Sequence, residues 1–146
     1  MKKNNIILSL IILAVLTRLL PHPPNVAPIT GIALFAGNKF DNKWIGLILP
    51  IICMLISDLF LGFSSITLFV YLAFILISYI GMTSKINNTT ILKSSTLFFF
   101  ITNFGVWLLG YPLTIQGFIT CYTLALPFFV NTIIGDLFFT HSLSFS

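Results

Sequence analysis

"WIGLILPIICMLIS", residues 44–57, contains no charged side chain. A second run without charge covers residues 94–118. Only 7% of the 146 residues are charged, and the mean hydropathy is +1.08. A soluble domain of this length has too little interior to bury so much apolar surface. The two runs therefore predict helices that span a membrane, with the lipid bilayer as the surrounding medium.

Apolar segments continue on both sides of these runs, separated by short polar connections. We expect six helices: Asn4–Leu20, Ala27–Asn38, Lys43–Leu61, Ile66–Met82, Ile91–Leu109 and Gln116–Thr140. The second is short, since a helix of its length rises only ~18 Å against a hydrocarbon core of ~30 Å. It either borrows residues from the stretch before it or is a partly inserted helix packed inside the others. The predicted fold is an all-α integral membrane bundle of six transmembrane helices in one domain, residues 1–146.

The lysines predict the orientation of this bundle. With the N-terminus in the cytoplasm, six of the seven basic residues fall on the cytoplasmic side: Lys2, Lys3, Lys39, Lys43, Lys85 and Lys93. Positive charge collects on that side of membrane proteins. We therefore expect both termini in the cytoplasm and a multi-pass protein of the bacterial inner membrane. The net charge of +4 is explained by this distribution and does not indicate a nucleic-acid partner.

Arg18 is the exception, and it opens the proline-rich stretch "RLLPHPPNVAP", residues 18–28. The orientation places this stretch outside. An arginine that snorkels from a helix end to the interface is one explanation. The other is a lid over a ligand, because four prolines stiffen the loop that carries Arg18, His22 and Asn25. Both interpretations remain open at this stage.

Two acidic residues lie inside the apolar segments. Asp58 and Arg18 are both expected near the outer ends of their helices, where an ion pair offsets much of the desolvation cost of each group. Such a pair either fixes helix packing or contributes to a binding site. Asp136 is expected towards the cytoplasmic end of the last helix, where it faces the helix interface, a cytoplasmic partner or His141.

Small and polar residues recur at helical spacing in several segments. In the last segment they form one stripe, which predicts a helix contact or a cavity wall: Thr123, Pro127, Asn131 and Gly135. Pro50, Met54, Asp58 and Gly62 repeat that spacing in the third segment, and Asn103 and Trp107 share a face of the fifth. In the second segment, close helix packing explains the small residues: Gly31, Ala33, Ala36 and Gly37. Packing explains Asn103, Asn131 and Asp58 less well, because buried polar groups need partners.

Several chemistries have no support in the sequence. There is no G-x-x-x-x-G-K-[ST] loop for ATP. Cys53 and Cys121 lack the spacing of a metal site or a disulfide, and His22 and His141 are expected on opposite sides of the membrane. No serine has a His/Asp constellation around it. We therefore expect neither an enzyme nor a bound cofactor or metal.

Four blocks of sequence carry a resemblance: "RLLPHPPNVAPITGIALFAG", "ISDLFLGF", "TNFGVWLLGYPLT" and "CYTLALPFFVNTIIGDLFF". They resemble an uncharacterised family of small bacterial membrane proteins, which is similar in turn to the S components of energy-coupling factor (ECF) transporters. The resemblance implies a substrate-binding subunit for uptake of a vitamin-like or other small micronutrient, with an outward-facing pocket capped by loop 18–28. It also implies partners, namely a membrane T component and cytoplasmic ATPases. The A-x-x-x-A pattern usual on the first helix of S components is absent here, where Ser9 and Ala14 lie five residues apart.

The candidate substrate-binding residues combine the polar residues of the apolar segments with the resemblance: Arg18, His22, Asn25, Asp58, Asn103, Trp107, Tyr111 and Asn131. On this hypothesis Arg18 meets a carboxylate or phosphate, and Trp107 and Tyr111 stack on a flat ring. Two other functions remain open. One is a small structural or assembly subunit of a membrane complex, and the other is a solitary solute facilitator that needs no ATPase.

Overall fold

The computed structural model describes residues 2–20 and 28–144, and these residues form an all-helical bundle. The helices are α1 (Lys3–Leu19), α2 (Ile29–Lys39), α3 (Lys43–Leu61), α4 (Thr67–Thr83), α5 (Asn88–Gly110) and α6 (Ile115–Ser144). The prediction of six helices, with a short second one, is confirmed. Polar residues set two of the helix starts, since the side chains of Asn42 and Asn87 accept hydrogen bonds from the first turns of α3 and α5.

Three helices of the described chain are long and apolar enough to span a membrane: Lys43–Leu61, Asn88–Gly110 and Ile115–Leu143. The helix Thr67–Thr83 is apolar but shorter. Large apolar side chains cover the outside of the bundle, and Leu68 and Ile115 are 80% and 81% exposed. Water would penalise such a surface, whereas lipid does not, so these features are those of a membrane protein.

The two ends of the bundle differ in their polar contacts. At one end, the last turns of α1 and α3 meet through Arg18 and Asp58; we call it the Arg18 end. At the opposite end, the Asn38 side chain donates to the carbonyl oxygens of Gly81 and Ser84, and His141 bonds to Asn88. This second end carries the lysines at the helix termini, so we call it the lysine end: Lys2, Lys3, Lys39, Lys43 and Lys85.

The short helix α2 lies inside the bundle, as one of the two sequence interpretations holds. All of its residues from 29 to 37 are buried, and it packs against α3, α4 and α6. Its glycines make this possible: a Cβ added to Gly37 would clash with the Ser78 carbonyl oxygen, and one at Gly31 would lie 3.1 Å from the Thr140 nitrogen. The prediction that the small residues of this segment serve close packing is confirmed.

Helix α2 begins inside the bundle, directly after the proline-rich stretch. Residues 21–27 of that stretch, with His22 and Asn25, lie outside the described residues, so the predicted lid stays a prediction. The described ends of the stretch are in different surroundings. Leu20 is exposed beside the Arg18 end, whereas Pro28 is fully buried. Pro28 immediately precedes the first turn of α2, which packs on Thr140 of α6. The stretch therefore connects the Arg18 end to a point inside the bundle.

The prediction that Thr123, Pro127, Asn131 and Gly135 form an inward-facing stripe on α6 is wrong for the first two residues. Thr123 and Pro127 are exposed, Asn131 is half-buried, and only Gly135 is buried. The inward face instead carries the residues Ala125, Phe129, Thr132 and Asp136. Successive residues of a helix point about 100° apart. A stripe shifted by one residue along α6 therefore faces a different part of the surroundings. Aromatic packing sets this orientation, since the Phe129 ring stacks on Phe99 of α5 at 4.4 Å.

Candidate ligand-binding site

An ion pair lies at the Arg18 end of the bundle. Arg18 Nη1 is 2.8 Å from Asp58 Oδ1, which confirms the pair expected from the sequence. The same nitrogen donates to Ser57 Oγ at 2.5 Å, and the Tyr71 hydroxyl donates to Asp58 Oδ2 at 2.8 Å. The Arg18 and Asp58 side chains are 21% and 7% exposed. Both carboxylate oxygens of Asp58 are thus engaged.

Helix ends position this pair. Both residues occupy the last turn of their helices, where the partial negative charge of the helix end favours Arg18 and disfavours Asp58. Asp58 therefore needs the cation beside it. The α3 helix ends just beyond, at Gly62, whose φ of 94° suits a residue without a side chain. The roles of Ser57 and Tyr71 were not predicted. Ser57 adjoins Asp58 in the sequence, whereas nothing in segment four distinguishes Tyr71.

A cavity of about 440 Å³ adjoins Arg18 and extends between α4, α5 and α6. Polar, aromatic and aliphatic residues line it. The polar lining residues are Arg18, Ser64, Thr102, Asn103 and Thr132. The apolar lining residues are Ile66, Val70, Phe98, Phe99, Val106, Ala125, Phe128 and Phe129. Apolar walls with a few convergent polar groups are the usual composition of a small-molecule site.

Most polar groups of the cavity already bond to the helices that carry them. Thr102 Oγ1 donates to the Phe98 carbonyl oxygen at 2.7 Å, and Asn103 Nδ2 donates to that of Phe99 at 2.8 Å. Thr132 Oγ1 donates in the same way to Phe128 at 2.9 Å. The amide of Asn103 therefore keeps its oxygen as an acceptor. A ligand would meet this oxygen and the guanidinium of Arg18.

The start of α2 lies just below the floor of this cavity. Phe99 and Thr132 line the cavity, and one helical turn nearer the lysine end the same two helices carry Ser95 and Asp136. Asp136 is 2% exposed, and its Oδ2 accepts from Ser95 Oγ at 2.6 Å. Thr30, in the first turn of α2, supplies a second hydrogen bond. Helix α2 thus fills the lysine half of the bundle, and the cavity occupies the other half.

Comparison with known proteins gives one family. The model of a family of unknown function (DUF6580) matches residues 1–145. The chain belongs to the DUF6580 family. No curated protein and no solved structure matches it. The sequence prediction of an uncharacterised family is confirmed.

Two of the predicted site residues lie outside the cavity of this DUF6580 protein. Trp107 and Tyr111 are not among the residues that line it. Trp107 packs edge-on against Phe118 at 5.2 Å, and its Nε1 donates to the Pro112 carbonyl oxygen at 3.0 Å. Tyr111 ends α5, where its N–H bonds to the Trp107 carbonyl oxygen. Both residues thus form the α5–α6 corner at the Arg18 end.

The other predicted residues of this DUF6580 site divide into three groups. Arg18 and Asn103 line the cavity, and Asp58 lies behind Arg18. Asn131 is half-buried and precedes the lining residue Thr132. His22 and Asn25 lie outside the described residues.

The sequence did not predict which phenylalanines line the cavity, namely Phe98, Phe99, Phe128 and Phe129. With 16 phenylalanines in the chain, no single one stands out.

Asp136 has the first of its three predicted surroundings, a helix interface. His141 does not contact it in this DUF6580 structure, because its Nε2 bonds to Asn88 Oδ1 at 2.7 Å. The described residues contain no group of three or more His, Cys, Asp or Glu side chains able to hold a metal ion. Cys53 and Cys121 are both free and buried.

Proposed function

We propose that this DUF6580 protein is a substrate-binding membrane subunit for the uptake of a small, vitamin-like molecule. One observation carries the proposal: a cavity of about 440 Å³, with a guanidinium and an amide in an aromatic wall, lies inside a lipid-compatible bundle. Its volume is within the range of about 300–1,000 Å³ usual for small-molecule sites. Close packing alone would leave no such space among bulky side chains.

The proposal includes six passes with the lysine end in the cytoplasm. The cavity then lies in the outer half of the membrane with Arg18 at its outward boundary, and the cap formed by loop 18–28 stays a prediction from the sequence. The clustering of lysines at one end supports this orientation. The 11 residues of α2 rise only about 16 Å, so α2 by itself is shorter than the hydrocarbon core.

Two modes of energy supply fit this site. In the first, an ECF-like T component and two ATPases drive release of the substrate, as the sequence resemblance implies. The second candidate is a solitary facilitator, and α1 favours it. Ala14 of α1 is fully buried inside the bundle, and large residues such as Leu8, Ile12 and Leu16 cover the exposed face. Ser9 is also exposed there, but no second small residue lies four positions from it, so the face lacks the small-xxx-small pair that allows close backbone approach.

A thermal-stability screen of the purified protein in detergent tests the binding role. The panel consists of vitamins, their precursors and modified nucleobases. A ligand at 100 times its Kd stabilises the fold by about 2.7 kcal/mol. The decisive variant is Ala125→Trp, which fills the cavity, and its matched control is Leu126→Trp on the exposed face of the same helix. A stabilising ligand that is lost in Ala125→Trp and kept in Leu126→Trp supports the site.

Uptake into proteoliposomes separates the remaining alternatives. Uptake by the protein alone identifies the facilitator, and uptake only with ATP and a co-purified ATPase module identifies the ECF-like subunit. If no compound in the panel stabilises the protein, and it co-purifies with a different membrane complex, the binding role is wrong and the assembly-subunit alternative replaces it.

A further inference from the structure

Arg18 is the one charged residue among the described residues that line the cavity. Its charge is not free for a ligand. Nη1 bonds to Asp58 and Ser57, and the second carboxylate oxygen of Asp58 is taken by Tyr71. The guanidinium and the carboxylate therefore cancel, and the cavity wall has no net charge at this point.

This balance disfavours ligands of either sign. A buried anion needs a countercharge to offset its desolvation. The charge of Arg18 is already neutralised by Asp58. The sequence expectation that Arg18 meets a carboxylate or phosphate is therefore revised. A cation is disfavoured as well, because the group that faces the cavity is Arg18, whereas Asp58 lies behind it and does not line the cavity.

The remaining polar atoms form a neutral hydrogen-bonding pair. Asn103 keeps its side-chain oxygen as an acceptor, since its nitrogen bonds to the Phe99 carbonyl oxygen. Arg18 also lines the cavity and has N–H groups beyond Nη1, because a guanidinium has five N–H donors in one plane. An acceptor and a planar donor match a ligand edge that carries both a carbonyl and an N–H.

Phenylalanine rings form half of the apolar lining. Phenylalanines contribute four of the residues that line the cavity, two from α5 and two from α6. The Phe99 and Phe129 rings already stack on each other at 4.4 Å, so their arrangement is fixed before a ligand arrives. Rings packed in this way favour a flat, aromatic guest by offset stacking and edge contacts.

We propose that the cavity selects an uncharged heteroaromatic or aromatic ring with an amide-like edge, and that it rejects the corresponding carboxylate. This inference rests on the proposed binding function. It names the ligand class of the same cavity, in which Asn103 accepts from the N–H of the ligand and Arg18 donates to its carbonyl oxygen.

Matched pairs of probes at pH 7 test this selectivity: nicotinamide against nicotinate, benzamide against benzoate, and uracil against orotate. Within each pair the ring is the same and the charge differs. We expect the neutral member of at least one pair to stabilise the purified protein in a thermal-shift titration, with an affinity at least tenfold above that of its anion. Asp58→Asn releases the charge of Arg18 and should reverse this preference for the pair that binds.

A second variant keeps the test decisive if Asp58→Asn does not fold. Asn103→Leu preserves side-chain size and leaves the ion pair intact, and it should weaken binding of the neutral member at least tenfold. Leu126→Trp serves as the control with unchanged binding.

Two results would overturn the inference. A preference of the unmodified protein for the anions means that Arg18 does bind a charged ligand; the ligand class is then wrong and the binding function stands. Failure of every pair also rejects the class. The wider vitamin panel with Ala125→Trp then decides separately whether the cavity binds anything.

Discussion

Arg18 and Asp58 show how two charged residues are accommodated in an apolar bundle. The carboxylate would be costly alone in the last turn of α3, and Arg18 would be costly alone beside an apolar cavity. Together with Ser57 and Tyr71 they form a set of hydrogen bonds that engages both carboxylate oxygens of Asp58. The sequence predicts the pair because both charges fall at the same end of the bundle. It does not predict Tyr71, whose role depends on where α4 starts.

Removing one member of this pair should cost more than removing both. Asp58→Asn is expected to lower the free energy of unfolding by about 2–3 kcal/mol, below the ~3–5 kcal/mol of a fully buried pair because Arg18 keeps some exposure. Adding Arg18→Met should recover part of that loss, because no uncompensated charge remains. Thermal or chemical unfolding in detergent measures this double-mutant cycle. Purely additive losses would show that the two groups do not interact.

Asp136 depends on two hydroxyl groups rather than on a cation. Ser95→Ala removes the 2.6 Å hydrogen bond from a carboxyl group that is 2% exposed. The expected loss of stability is about 1–3 kcal/mol, the usual cost of leaving a buried polar group without its partner. Ser9→Ala is the matched control, because that exposed hydroxyl bonds only within its own helix. If the two variants are equally stable, the hydrogen bond from Ser95 to Asp136 does not stabilise the fold.

At the scale of elements, the short helix α2 determines which half of the bundle is closely packed and which half contains the cavity. Its small residues predict close packing, and the structure confirms this at Gly31 and Gly37. The orientation of α6 was predicted less well. Its inward face depends on the stack of Phe99 and Phe129, a contact between two helices that residue spacing within one helix does not reveal.

The glycine contacts of α2 lead to a direct test. Gly37→Ala places a methyl group against the Ser78 carbonyl oxygen, where the helix backbone would have to move. We expect a loss of at least about 1–3 kcal/mol, as for other overpacked sites. Gly110→Ala at the end of α5 is the control, since nothing lies within 4 Å of the added group. The unfolding midpoints of the two variants measure the difference, and equal midpoints would contradict the packing described for α2.

At the scale of the whole molecule, composition alone predicts a helical membrane protein, and the sequence pattern predicts the number of helices. Neither locates the cavity. Its position follows from the depth at which α2 starts, and that depth depends on packing against α3, α4 and α6. Distant parts of the chain meet there: Arg18 of α1, Asn103 of α5 and Thr132 of α6. A sequence of uniformly apolar helices does not specify such a meeting point.

The proposed orientation has a measurable consequence. In a background in which Cys53 and Cys121 are replaced by alanine, Ser64→Cys at the Arg18 end should react with a membrane-impermeant thiol reagent on intact cells. Lys85→Cys at the lysine end should react only after the membrane is opened. The reversed pattern would place the lysines outside and the cavity in the cytoplasmic half. Labelling of both positions on intact cells would contradict a single orientation with the lysine end inside.

The packing of α2 also constrains the order of events at the ribosome. The main partners of α2 are α3, α4 and α6, and all of them are synthesised after it. A segment of 11 residues is too short to be stable across a bilayer of ~30 Å by itself. If the bundle spans a membrane as proposed, α2 therefore becomes stable there only after its neighbours have been synthesised. The nascent chain cannot complete its core before the last helix is made, and a chain truncated before α6 should be a substrate for quality-control proteases.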